Sequence, residues 1–259
     1  MQNKKTYCAK SSFTAILAAL TFATLGLQNA TAGPAPLFDA SWTQIASEDS
    51  VRADGFVDPG WGGQLFDAEY LYFKLQGSTL SVGLQTGFDL VDGRVDYGGR
   101  AYYAGDLALS FDNNPSAYEY AFDFGLLTKD YSGKLVGDSD GINDAGLYAV
   151  TTWNNNIAYP VASPFAMAAG TRIAAAGGST SAGQHNDSYW RIVSFDISPI
   201  MTSIGGDLLT FDAHWTMSCG NDFINGGADV PVPEPATMML FGTGLAGLAA
   251  IYRRKYPAA

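Results

Sequence analysis

The chain has 259 residues, 14 Lys and Arg against 25 Asp and Glu for a net charge of −11, and 47% hydrophobic residues. That length and apolar fraction support a substantial core, while the acidity excludes nucleic acid and anionic membrane surfaces as partners. Beyond residue 32 there are two histidines and one cysteine, too few for a structural zinc site of four Cys or His ligands.

The first element is a targeting segment. Lys4, Lys5 and Lys10 form a positive start, Phe13 to Leu27 is uncharged and mostly apolar, and Ala30-Thr31-Ala32 fits a small-x-small cleavage site. Residues 1–32 are therefore predicted to be a signal peptide for the Sec export machinery, cut after Ala32 with Ala30 and Ala32 read at the site. The apolar run of 15 residues is too short to cross ~30 Å of hydrocarbon at ~1.5 Å per residue.

From residue 33 to 228 the pattern is β. Tyr70 to Leu75 and Thr79 to Gln85 flank Gln76-Gly77-Ser78 and read as a hairpin. Asp106 to Phe111, Tyr118 to Phe124, Gly146 to Trp153, Trp190 to Ile197 and Leu208 to Cys219 are further strands, with Gly, Asn, Asp and Pro clusters between them. Phe165 to Ala176 is the one ambiguous stretch, and Asp229 to Pro233 reads as a linker. GDLALSFD at 105 and GDLLTFDA at 206 look alike, as two similar strand entries rather than a repeat. Many short strands in about 200 residues predict an all-β fold, a single antiparallel β-sandwich or jelly roll.

Within this domain GDSDGINDAG, residues 137–146, places Asp138, Asp140, Asn143 and Asp144 close together around Gly141. The run resembles half of an Asp-rich calcium loop, which makes calcium the one candidate cofactor, although no glutamate stands at the closing position of an EF-hand. Asx turns account for such a loop equally well. Further on, AHWTMSCGND, residues 213–222, holds His214 and Cys219, residue types that can form a base and a nucleophile. Strand alternation opposes that pairing: Phe211, Ala213, Trp215, Met217 and Cys219 share an apolar face, and Asp212, His214, Thr216 and Ser218 the polar one. A regular strand therefore points His214 to solvent and Cys219 into the core; an exposed Cys219 would instead be available for a disulfide between chains.

The tail is the most specific signal. Pro233-Glu234-Pro235 precedes an uncharged run from Ala236 to Tyr252, closed by Arg253, Arg254 and Lys255. Two prolines around one residue hold the segment extended, and the basic cluster keeps the far end cytoplasmic. Residues 233–259 resemble the PEP-CTERM sorting signal of Gram-negative bacteria: motif, short transmembrane helix and basic stop. The resemblance implies transient insertion in the inner membrane and processing by an exosortase, then delivery to the cell surface or extracellular matrix. The block 213–222 resembles a segment found upstream of that signal in many proteins of this class. EYLYFKLQGSTLSVGLQTG from Glu69, GDLALSFD and YEYAFDFG resemble strand patterns of sandwich-type carbohydrate-binding modules.

Without the two terminal segments, 8 basic and 24 acidic residues remain, a net charge of −16. Such a surface suits divalent cations or neutral polymers, and equally suits a solvated scaffold. The sequence thus points to a non-catalytic exported protein of the surface or biofilm matrix, associated with exopolysaccharide. A carbohydrate- or calcium-binding module in the same place is the alternative, and a secreted hydrolase using a carboxylate pair the third reading.

Overall fold

In the computed structural model the described residues are 38–49, 51–52, 55–112, 114, 117–204, 208–231 and 243–246. In chain order the strands are β1 (Thr43–Ser47), β2 (Ala68–Gln76), β3 (Thr79–Thr86), β4 (Arg94–Tyr97), β5 (Arg100–Tyr103), β6 (Leu107–Ser110) and β7 (Tyr120–Asp123). They continue with β8 (Gly146–Asn154), β9 (Ala166–Arg172), β10 (Ser179–His185), β11 (Ser188–Asp196), β12 (Leu208–Thr216) and β13 (Phe223–Pro231), and one short helix, α1 (Ser198–Ile204), follows β11.

Two antiparallel sheets, ordered β1-β2-β3-β11-β10 and β13-β12-β6-β7-β8-β9, carry the fold, with β4 and β5 as a separate hairpin. The predicted all-β class and sandwich architecture are what the chain adopts. Alternation explains the first sheet. The register aligns Leu71 with Leu84, Phe73 with Val82 and Leu75 with Leu80, so every second residue of β2 and β3 faces inward. On β11, Val193 and Phe195 lie opposite Val82 and Leu80 and extend the same apolar face. In the second sheet Leu107, Leu109, Phe122, Leu147, Phe211, Ala213 and Trp215 do the same and are buried. The sheets meet through ring pairs: Phe73 with Phe211 at 5.3 Å, Phe122 with Phe195 at 5.8 Å and Phe88 with Trp215 at 5.9 Å. One charge sits among them. Arg191 donates from Nε to the Leu90 carbonyl at 3.0 Å and lies over the Phe124 ring, and burial pulls its pKa down to about 10.

The predicted strands are present with small changes at their ends. Phe165 to Ala176 resolves into β9 and a 3-10 turn at Ala174–Ala176. β1, the β4–β5 hairpin, β10 and β13 are not among the predicted strands. β10 reads STSAGQH, with hardly an apolar residue, and is a strand because its backbone pairs with β11 around the turn at Asn186-Asp187. The predicted linker is a correction: Asp229, Val230 and Pro231 pair with Thr210, Leu209 and Leu208, so the sheet continues to Pro231.

Trp215 is fully buried, and its Nε1–H donates to the Gly105 carbonyl at 3.1 Å. Trp215→Ala is expected to cost ~3–5 kcal/mol in chemical denaturation, as a large core deletion that also orphans a carbonyl.

Candidate functional site

β12 and the turn that follows it position the residue pair that the sequence singled out. Phe211, Ala213, Trp215, Met217 and Cys219 all enter the main core, as alternation predicts. Cys219 is 1% exposed, and burial pushes its thiol up to about 12, so it is a core thiol rather than a thiolate.

His214 corrects the prediction. It is 2% exposed, because the segment from Ile157 to Ala166 folds over the outer face of β12 and packs Val136, Ile157, Ala162, Phe165 and Ala166 there as a second apolar layer. Nε2 lies 3.0 Å from the Ala162 carbonyl and 2.9 Å from that of Pro164, so Nε2 carries the proton and donates. Nδ1 is then the acceptor, and it meets the side-chain amide of Asn225, the residue directly opposite on β13. The amide oxygen faces Nδ1, and a half-turn of the amide presents its N–H to the ring. Desolvation outweighs these hydrogen bonds and holds the imidazole below its ordinary pKa. The histidine is a neutral structural pin, on the other side of the sheet from Cys219.

The 137–146 loop is also occupied internally. Asn143 turns inward, donates from Nδ2 to Asp123 at 2.7 Å and accepts from the Asp138 N–H at 2.9 Å. Asp140 accepts from the Ile142 N–H in an Asx turn, and Asp144 points outward near Arg172. Asp138, Asp140 and Asp144 do not converge on a common point. The calcium set proposed from the sequence is therefore not assembled, because the loop spends its amide on the domain beneath it.

Beneath it lies a buried carboxyl pair. Asp123 accepts from Asn143, from the Gly125 N–H at 2.8 Å and from Asp106, while Asp106 accepts from the Met167 N–H at 2.7 Å. Burial first, and then the charge of Asp123, raise Asp106 well above the usual carboxylate range. Asp106 thus holds the proton of the pair and donates it to Asp123.

The structure brings together one group that sequence spacing could not reveal. Glu48 follows β1, Asp67 precedes β2 and Asp222 precedes β13, and their carboxylate oxygens lie within 4.8 Å of one another. Glu48 and Asp222 open on a cleft of about 450 Å³, while Asp67 is fully buried. Three carboxylates can supply part of a calcium shell. A proton also serves: burial, together with the charges of Glu48 and Asp67, pushes Asp222 up to about 9. Asp222 still accepts from the Ala68 and Phe223 N–H groups at 2.7 and 2.8 Å, which joins β2 to β13.

The sorting residues Pro233, Glu234, Pro235, Arg253, Arg254 and Lys255, and the cleavage positions Ala30 and Ala32, lie outside the described residues. Residues 243–246 are helical, and among the described residues no helix is long and apolar enough to cross a membrane. A family model, the PEP-CTERM protein-sorting motif, matches residues 231–255. The chain carries an exosortase sorting signal. It is thereby an exported protein with membrane-associated processing and an exosortase as its processing partner. No curated protein and no solved structure matches the chain.

Two outcomes test these sites. His214→Ala is expected to cost ~2–4 kcal/mol at pH 7.5, since it leaves a cavity and two orphaned carbonyls. A neutral buried histidine stabilises above its unfolded pKa and loses that contribution as pH falls, so the gap between parent and variant should shrink below about pH 6.5. Asp106 behaves oppositely, because a raised carboxyl pKa gives stability at low pH that is lost as pH rises through the folded value. Asp106→Asn keeps a donor to Asp123 and an acceptor for Met167, so it should stay within ~0.5 kcal/mol of the parent at neutral pH and gain on it in alkaline melts. Asp106→Ala should be destabilised throughout.

Proposed function

We propose that this chain is a non-catalytic protein of the cell surface or extracellular matrix, secreted through a signal peptide and delivered into an exopolysaccharide layer after exosortase processing. The observation that carries this reading is the join between domain and signal. The sorting motif begins at residue 231, on the last residue of β13, with no spacer between the sandwich and its address. A whole folded domain is thus the cargo.

The residues with the most obvious chemistry support the same reading. His214, on the outer face of β12, and Cys219, three residues past the end of that strand, are buried in separate layers. The acidic groups buried at Asp106, Asp123 and Asp222 hold strands and loops together through backbone N–H groups. The remaining charge, −16 over residues 33–233, keeps copies apart and soluble in a crowded polymer.

Intact mass spectrometry of the exported protein, with fractionation of cells, matrix and medium, tests this proposal. A product that starts at Gly33, lacks Arg253 and Arg254, and is found in the matrix fraction is expected. A product that still carries Arg253 and Arg254 overturns the processing, and one confined to the cell interior overturns the destination.

A further inference from the structure

The outer face of the β1-β2-β3-β11-β10 sheet carries a cleft of about 390 Å³, in the size range that takes a small ligand or a polymer segment. Three half-exposed aromatic residues line it, Phe38, Trp42 and Trp190, together with Asp39, Gln184 and His185, which are exposed. Register fixes the face. Gly83 lies opposite Ile192, and Gly183 opposite Trp190, on the side away from Val82, Leu84 and Val193 of the core.

The sheet is built to receive these rings. A Cβ on Gly83 would lie 2.4 Å from the Phe38 ring, and one on Gly183 would lie 2.6 Å from that of Trp190. Glycine at both positions lets the aromatic rings sit directly on the backbone, where any side chain would lift them away. Neighbours hold them in place: Phe38 packs on Tyr72 with centroids 4.6 Å apart and edge-on to Trp42 at 4.9 Å, while Lys74 lies 5.9 Å above the Trp42 ring and donates to Ser41. Rings fixed before binding lose little freedom on binding.

We propose that this cleft binds a neutral polysaccharide segment. Aromatic faces are electron-rich and stack on the polarised C–H faces of pyranose rings. The carboxylate, amide and imidazole at the rim supply the acceptors and donors that ring hydroxyls need. A lipid or a protein core would leave those three polar groups facing apolar surface. A polyanion would be repelled by Asp39 and by the net charge of −16. The inference deepens the matrix reading above and rests on it only for the source of the polymer.

The test uses the processed protein purified from its producing cells and the cells' own extracellular polysaccharide, separated by anion exchange into neutral and acidic fractions. In native affinity gels the neutral fraction should retard the parent protein, with a change in tryptophan fluorescence. The Trp42→Ala/Trp190→Ala variant should lose roughly tenfold or more in affinity. Gln184→Ala/His185→Ala, which alters only exposed side chains, should lose affinity at an unchanged melting midpoint, so misfolding cannot mimic the result. Absence of retardation by the neutral fraction, binding to the acidic fraction alone, or parent-like affinity in both variants overturns the proposal. A parent protein found in the matrix that does not bind the neutral fraction defeats this cleft and leaves the matrix reading standing. A parent absent from the matrix defeats that reading, whatever the gels show.

Discussion

The second half of β12 is buried on both faces, and the rest of the fold is arranged around that fact. Its inner face, Phe211, Ala213 and Trp215, supplies the contacts that hold the second sheet against the first. Its outer face carries His214 and Thr216, which are as fully enclosed as the core residues. A polar group removed from water must find its hydrogen bonds inside the protein. His214 finds them on the covering segment and on β13; Thr216 donates to the Asp222 carbonyl at 2.6 Å. The covering segment is thereby fixed to the sheet by polar contacts as much as by Phe165 and Ile157. This is why a residue that alternation assigns to solvent becomes one of the fold's fasteners.

The second theme is how a very acidic chain manages its charge with few bases. Only 8 Lys and Arg accompany 24 Asp and Glu between residues 33 and 233, and Arg191 is spent on backbone carbonyls. Buried acids are balanced by other means. Glu69 accepts from Gln64, Gln85 and Ser188; Asp123 accepts from Asn143 and Gly125; Asp106 and Asp222 keep protons. Amides and protons take the place of counter-charges. Such a core loses stability at alkaline pH as Asp106 and Asp222 give up their protons, while His214 withdraws its contribution below about pH 6.5. The acidic pair also explains the 137–146 loop, whose Asn143 is held by Asp123 rather than offered to a metal ion.

The sheet edge formed by β13 links architecture to processing. β13 pairs along its whole length with β12, from Phe223 opposite Thr216 to Pro231 opposite Leu208. The sorting motif starts where that pairing ends. The acidic cluster of Glu48, Asp67 and Asp222 lies at the other end of the same strand, beside β1 and β2. Changes in β13 therefore bear both on the closure of the sandwich and on the segment presented for processing.

The sequence by itself determined the sorting signal near the C-terminus and the class of the fold. Local signals suffice there: a Pro-Glu-Pro triplet before an apolar run and a basic stop, and period-two alternation in Tyr70 to Leu75 or Phe211 to Cys219, need no knowledge of neighbours. It also placed Cys219 correctly in the core, because a strand's inner face is set by its own pattern. Everything that depended on a distant segment was decided only by the tertiary structure. His214 is buried by residues some fifty positions earlier in the chain. Glu48, Asp67 and Asp222 come from three separate segments, and β10 becomes a strand only through pairing with β11. Asp138, Asp140 and Asn143 look like a metal loop in one dimension, yet hydrogen bonding to Asp123 turns the amide inward. Strand patterns record which face is apolar; they do not record what later folds over the other face, and in this protein that covering layer decides the chemistry of the site.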